Sequence, residues 1–119
     1  MGLDMYLERT RNNQKEEVGY WRKANQIFGW IVNKYPEAHE CNEVEITMED
    51  LKELLKTCVD ALGDEVNAKE LLPPKPGFFF GTYEIDERYW YDINLTIRII
   101  AEVIADHEEG DVITFVASW

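Results

Sequence analysis

A short run of aromatic and polar residues, YWRKAN, holds side chains well suited to binding a small molecule. Arg22 carries a planar guanidinium that matches a carboxylate or a phosphate, and Asn25 adds an amide three residues later. Trp21 offers a ring on which a flat ligand can stack. On a helix, Arg22 and Asn25 would lie on the same side. The alternative is that the cations of this run only pair with nearby carboxylates in solvent.

A second candidate is the stretch PPKPGFFFGTYEIDERYWYD, residues 73–92, which contains seven aromatic side chains. Its three consecutive phenylalanines predict a short strand, 78–80, that mainly fills the core. The tyrosines are better candidates for binding, because a buried hydroxyl group needs a hydrogen-bond partner. Together with YWRKAN, these rings predict a pocket for a planar anionic ligand such as a nucleotide. The predicted ligand-binding residues are Trp21, Arg22, Asn25, Phe79, Tyr83 and Tyr89.

The charge of the chain predicts a different kind of interaction. Its 119 residues include 24 acidic and 12 basic side chains, and ten of the carboxylates fall within residues 37–65. A field of this sign repels phosphates, so we expect no direct binding to nucleic acid. It favours docking onto a basic surface of another protein, although acidic surfaces also simply keep proteins soluble. The residues predicted to contact such a partner are Glu43, Glu45, Glu49, Asp50 and Glu53.

The sequence lacks the motifs of common enzymes: a phosphate-binding glycine loop, a dinucleotide fingerprint, a nucleophile elbow and a metalloprotease helix. We therefore predict no catalytic residue. His39, Cys41, Cys58 and His107 could together bind zinc, but their spacing matches no familiar ligand set, so we expect neither a metal nor another cofactor. The chain shows no export signal and no apolar run of membrane length, which predicts a cytoplasmic protein with reduced thiols.

The elements that position these residues follow from hydrophobic spacing. Alternation at residues 3–7 predicts a strand, and the polar stretch 10–15 predicts a loop. Apolar residues then recur every three or four positions, which predicts one long amphipathic helix over 16–35 that ends before Pro36. Val44 and Ile46 indicate a short strand.

The second half of the chain predicts further helices and a last strand. Thr47 is the expected N-cap of a helix that ends at Gly63, and a turn of helix follows at 67–72. Residues 89–105 fit both strand alternation and helical spacing, and their length favours a helix capped by Asp86. A strand is expected at 112–117. The whole pattern predicts a single α+β domain, residues 1–119, with about three helices packed on a small antiparallel sheet.

Four segments, taken together, resemble a family of small bacteriophage and prophage proteins. They are MGLDMYL, EEVGYWRKANQIFGWIV, ELLPPKPGFFFGTYEIDERYWYDI and the terminal ASW. The resemblance covers most of the chain in order. It departs at Phe28, where relatives tend to have His, and at Pro74, where they tend to have Thr. The resemblance implies a phage-derived protein that acts inside a bacterial cell, where small phage accessory proteins often antagonise host defences.

Two functions of different classes are favoured at this point, and a third, an enzyme or a structural component of a phage, also stays open. The first is a non-catalytic inhibitor that binds a host protein, such as a defence protein, through its acidic surface. The second is a binder that sequesters a nucleotide-like signal in a pocket of aromatic rings and arginine. Strong salt dependence of partner binding would favour the first, and a melting temperature raised by a nucleotide would favour the second.

Overall fold

The computed structural model describes residues 2–74 and 84–119. Its elements are β1 (Asp4–Arg11), β2 (Gln14–Arg22), α1 (Asn25–Lys34), a 3₁₀ helix (Pro36–Glu40), β3 (Val44–Glu45), α2 (Met48–Ala61), α3 (Glu65–Leu71), α4 (Glu87–Ala105) and β4 (Val112–Ser118). The predicted α+β class is confirmed. The predicted strand at 78–80, and the expected packing of the first helix on it, lie outside the described residues.

The four strands form one antiparallel sheet in the order β2-β1-β4-β3. Asn12 and Asn13 join β1 to β2 with φ angles of 53° and 64°. Two successive left-handed residues form the tight hairpin turn whose twist matches that of paired strands, and asparagine tolerates this conformation. The loop predicted at 10–15 is therefore reduced to these two asparagines, and strand pairing continues on both sides of them.

The long helix predicted over 16–35 is wrong in its first half. Residues 14–22 form β2, and the helix begins only at Asn25. Between the two elements Lys23 adopts a φ of 59°, and its N–H donates a hydrogen bond of 2.6 Å to the carbonyl of Leu3. The chain therefore turns sharply at the point where a continuous helix was expected.

Local preferences explain why strand pairing prevails in this segment. Gly19 is a poor helix former, whereas Tyr20 and Trp21 favour strands. The register of β2 against β1 also shifts between Leu7 and Glu8. Such an irregularity breaks the strict alternation of buried and exposed residues that marks a strand in a sequence.

One face of the sheet carries the core, and the helices cover it. The strands contribute Met5, Leu7, Trp21, Val44, Ile113, Phe115 and Ala117, and Leu3 adds to them just before β1. The helices contribute Ile27, Phe28, Ile31, Leu51, Leu54, Cys58, Ile93, Ile100 and Val103. On the opposite face Tyr6 and Tyr20 pack with their ring centres 5.3 Å apart.

Both capping predictions are confirmed. The Thr47 hydroxyl accepts a hydrogen bond of 3.1 Å from the Asp50 N–H at the start of α2. The Asp86 carboxylate accepts one of 3.1 Å from the Tyr89 N–H at the start of α4. Each cap satisfies an N–H group that the first helical turn leaves unpaired. The start of α4 is therefore fixed, and with it the direction of the side chains in its first turns.

Helix α4 lies along β2 and runs in the opposite direction. The contacts that fix this arrangement join Arg88 to Arg22, Thr96 to Trp21 and Ile99 to Gly19. The first turns of α4 are consequently next to the end of β2. Its last turn is next to the start of β2 and the hairpin.

Two arginines lie on the helix-facing side of β1, next to the C-terminal end of α4. Arg9 bonds to Asp106, and Arg11 donates a hydrogen bond of 2.7 Å to the carbonyl of Asp106. A cation is favourable at this end of a helix, because the helix dipole is negative there. Arg11 also donates to both carboxylate oxygens of Asp111 and holds the pKa of that carboxyl well below its usual range. The hairpin is thus anchored to the chain that follows α4.

Candidate functional site

A polar pocket of about 250 Å³ lies where the end of β2 meets the first turns of α4. Its lining residues are Lys23, Asn25, Gln26, Glu84, Arg88, Tyr89 and Asp92. We call it the Asp92 pocket. The left-handed turn at Lys23 and the first turn of α1 form one wall, and α4 forms the other.

Asp92 is the most unusual residue of the pocket, because it is a carboxylate that is only 2% exposed. Among the described residues only Arg88 forms an ion pair with it, from Nε to Oδ1 at 3.8 Å, which is too long for a hydrogen bond. Burial raises the pKa of Asp92 to about 6, and the charge of Arg88 only partly opposes this effect. A buried carboxylate is costly unless it is well hydrogen-bonded, and a perturbed one in a pocket indicates a functional site.

The inner walls of the pocket are held in place by hydrogen bonds. Asn25 and Gln26 are each 3% exposed, and Gln26 Nε2 donates to the carbonyl of Tyr89 at 3.3 Å. The Tyr89 hydroxyl donates to the carbonyl of Leu72 at 2.7 Å, and burial raises the pKa of this phenol. Tyr89 is therefore held by its backbone carbonyl and by its hydroxyl group. The walls combine two amides with a rigid aromatic face.

The mouth of the pocket carries positive charge. Lys23 is half-buried, and Arg88 is exposed while one of its guanidinium nitrogens donates to the carbonyl of Arg22 at 2.7 Å. Glu84 adds a carboxylate to the same lining, besides that of Asp92. An anionic group at the mouth would consequently meet two cations, while the interior offers the acceptor oxygens of Asp92.

Two of the predicted ligand-binding residues, Asn25 and Tyr89, come together in this pocket although 64 positions separate them in the sequence. Phe79 and Tyr83 lie outside the described residues.

The remaining two predicted residues do not line the pocket. Trp21 is 1% exposed and packs in the core. Arg22 is exposed at the end of β2 and does not line the pocket, whereas the next residue in the chain, Lys23, does. The expectation that Arg22 and Asn25 share one helix face is wrong, because the strand ends at Arg22 and the helix starts three residues later.

Sequence reasoning missed Asp92 and Arg88, and the sequence does contain a signal for the first. Asp92 follows Tyr89 by three positions and precedes Thr96 by four, so all three lie on the buried stripe of α4. An acidic residue on the apolar stripe of an amphipathic helix needs an explanation, since burying a charge is costly. Arg88 stands outside this stripe and has no comparable signal.

Most of the predicted acidic docking residues are paired within the chain. Glu43 accepts a hydrogen bond of 2.6 Å from Lys15, which lowers the pKa of Glu43. Glu53 accepts one of 2.6 Å from Lys34, and Lys34 also lies 3.8 Å from Asp50. These pairs reduce the negative charge that the region presents to a partner.

Glu45 and Glu49 are the exceptions among the five predicted docking residues. Both are exposed, and neither forms an ion pair within the described parts of the chain. Glu45 lies on β3 at one margin of the sheet, and Glu49 lies in the first turn of α2. The carboxylates available for docking are therefore fewer than the sequence suggests.

Neither a metal site nor a membrane span is found in the parts of the chain that the structure describes. Over residues 2–74 and 84–119, no three His, Cys, Asp or Glu side chains are grouped so that they could hold a metal ion. Cys58 is buried, which raises the pKa of its thiol to about 12 and disfavours the thiolate that a metal requires. Among the described helices, none has the length and apolar character needed to cross a membrane.

Comparison with known proteins adds no relative. No family model, no curated protein and no solved structure matches this chain. The fold and the chemistry of the Asp92 pocket therefore provide the grounds for proposing a function.

Proposed function

We propose that the protein is a ligand-binding protein that takes a small planar, polar molecule of the nucleotide class into the Asp92 pocket. The buried carboxylate of Asp92 carries this proposal, because the described residues offer it only one ion-pair contact, at 3.8 Å. A ligand that brings N–H donors would supply the hydrogen bonds that a buried carboxylate requires. Nucleobases with amino or imino N–H groups meet this need.

The size and charge of the pocket support the same ligand class. Its volume of about 250 Å³ is smaller than the roughly 300–1,000 Å³ of pockets that enclose drug-sized ligands. It accommodates a base, with the sugar and phosphate left at the mouth. There Lys23 and Arg88 would meet the phosphate, while the Tyr89 ring and the two amides would contact the base.

The test is a thermal-shift screen with nucleobases, nucleosides and nucleotides, followed by calorimetric titration of the hits. We expect a member of the panel to raise the melting temperature in proportion to the logarithm of its concentration, since a ligand that binds only the folded state stabilises it. Asp92→Asn should abolish the shift, and the matched change Glu70→Gln, at an exposed site on α3, should leave it intact. A flat response across the whole panel, or equal binding by Asp92→Asn, would contradict the proposal.

Binding should also weaken as the pH falls below about 6, because protonated Asp92 loses part of its acceptor capacity. A donor-rich ligand favours the ionised form, so its binding should lower the pKa of Asp92. Calorimetry in buffers of different ionisation enthalpy measures the protons released on binding near this pH. No release would argue against a contact between the ligand and the carboxylate.

A second candidate function is inhibition of a host protein in the bacterial cytoplasm by a phage-derived chain. The resemblance to phage proteins motivates it, and the exposure of Glu45 and Glu49 supports it. A pull-down from host lysate should then recover a partner that high salt releases. Glu45→Gln with Glu49→Gln should reduce its recovery more than Glu43→Gln with Glu53→Gln, because the latter residues are already paired with lysines.

A further inference from the structure

Strand β2 has a free outer edge. It is the first strand in the order β2-β1-β4-β3, and over the described residues it pairs only with β1. Every second residue of an edge strand points its N–H and C=O groups away from the sheet, where they can pair with another chain. At nine residues, β2 is long for an edge strand that is left without a partner.

An open groove of about 620 Å³ lies beside this edge, between the first half of β2 and the last turns of α4. Its lining residues are Arg9, Glu17, Val18, Glu102, Val103, Ala105 and Asp106. Val18 and Val103 give the groove an apolar floor, and carboxylates stand around it. A strand added to β2 would direct alternate side chains toward the α4 side of the sheet, where this groove lies.

The charges around the groove determine which strand fits. Glu102 and Asp106 are exposed carboxylates at the last turn of α4, Glu17 is an exposed carboxylate on the edge strand itself, and Arg9 is the single cation among the described lining residues. Arg9 already bonds to Asp106 and to Glu16, so it cannot offset the remaining acids. The groove therefore attracts basic side chains and repels acidic ones.

The same charges disfavour a second copy of this chain as the occupant. Antiparallel pairing of two β2 edges in a register centred near Glu16 and Glu17 would bring the carboxylates of one copy close to those of the other. Like charges placed opposite each other destabilise strand pairing, and charged residues on edge strands are a common protection against self-association. A basic strand meets no such repulsion.

We propose that the free edge of β2 and its neighbouring groove bind an extended, lysine- or arginine-rich segment of a partner protein by strand addition. Main-chain hydrogen bonds to β2 supply binding energy, and alternate side chains of the segment select for apolar and basic residues at the groove. This surface is separate from the Asp92 pocket, since it lies at the opposite end of β2 and α4. The proposal consequently does not depend on the proposed ligand.

The experiment uses a labelled synthetic peptide with the length of β2 that alternates lysine and valine. We expect it to bind the full chain at low salt, to shift the amide resonances of β2 more than those of β3, and to protect β2 amides from hydrogen exchange. Glu17→Lys with Glu102→Lys should weaken binding by about tenfold or more. The matched change Glu45→Lys with Glu49→Lys keeps the net charge equal and should have a smaller effect.

Control peptides separate strand addition from simple charge attraction. Two versions of the peptide are methylated on alternate backbone nitrogens, one on the odd and the other on the even residues, and both keep every charge. Only the version whose methyl groups replace the N–H groups that face β2 is blocked from pairing, so one version should lose binding and the other should keep it. A peptide that alternates glutamate and valine should not bind. Four results would each overturn the proposal. The first two are equal binding of both methylated peptides and an equal loss of binding in the two charge-reversed proteins. The other two are no binding at low salt and concentration-dependent dimerisation through β2.

Discussion

The indole of Trp21 donates a hydrogen bond of 2.8 Å from Nε1 to Oγ1 of Thr96, and both residues are buried. The Thr96 hydroxyl in turn donates to the backbone carbonyl of Asp92 at 2.7 Å. One bond between sheet and helix therefore lies a single helical turn from the pocket carboxylate. The same contact that fixes α4 on the sheet also fixes the position of the candidate site.

Replacing Thr96 by valine should destabilise the fold. Thr96→Val keeps the side-chain shape but leaves the buried indole N–H unpaired, which costs about 1–3 kcal/mol. Urea denaturation measures the loss as a lower midpoint with an unchanged slope. The matched change Thr57→Val removes a hydroxyl group from a less buried site on α2 and should cost less. Equal losses in the two variants would contradict the role assigned to the Trp21 bond.

Gly19 should not tolerate a side chain while Ile99 is present. A Cβ atom at Gly19 would lie 2.6 Å from Ile99 Cγ2, closer than real contacts allow. We expect Gly19→Ala to cost about 1–3 kcal/mol, as overpacking usually does. Ile99→Ala removes the clashing atoms, so the double variant should lose less stability than the two single variants together. Strict additivity would show that the two residues are not in contact.

Substitutions of Asn13 in the hairpin turn should differ clearly in their effect on the free energy of unfolding. This residue has a φ of 64°, which is strained for most side chains and easy for glycine. Asn13→Gly should keep or raise the free energy of unfolding, whereas Asn13→Ala should lower it by about 1 kcal/mol. Thermal unfolding of both variants beside the unmodified chain tests this order, and the reverse order would exclude the left-handed turn.

Asp92 should give the stability of the protein a distinctive pH dependence. Its pKa of about 6 in the folded state lies above the roughly 3.9 of an unfolded aspartate, so the folded state binds the proton more tightly. The resulting stabilisation is present below about pH 4 and is lost as the pH rises through about 6.

Asp92→Asn stays neutral at every pH and removes this dependence. Near neutral pH the variant should be more stable than the unmodified chain by up to about 3 kcal/mol, and the difference should fade toward about pH 4. Urea titrations at several pH values measure the difference. A difference that does not change with pH would show that Asp92 ionises normally. A more stable variant that has lost its ligand is the outcome expected when a residue is retained for function.

The sequence predicted those elements whose signals are local. The Thr47 and Asp86 caps, together with regular apolar spacing, were sufficient to locate α2 and α4. Strand β2 was missed, because Val18 and Trp21 fall by chance at helical spacing and the register shift conceals the alternation. The pairing partner that makes β2 a strand is the preceding segment, and spacing within one segment carries no information about its partner.

The candidate site was predicted only in part, for a related reason. The side-chain chemistry of Asn25 and Tyr89 predicts a role in binding, and the structure brings the two residues together. Asp92 acquires its character from burial between α1 and α4, which depends on how distant segments pack. The charge of Arg22 makes it a candidate, but this residue ends β2 and does not line the pocket, and Arg88 of α4 stands at the mouth instead.

The strand order has a consequence for how the chain folds. β1 lies in the middle of the sheet, between its neighbour in sequence, β2, and the last strand, β4. The hairpin can close early because its contacts are local, whereas β4 must return across about a hundred residues, and such distant pairing is slow. During synthesis the edge of β1 that pairs with β4 will therefore stay unpaired until residues 112–118 have left the ribosome. Over that interval the unpaired edge can bind chaperones or aggregate.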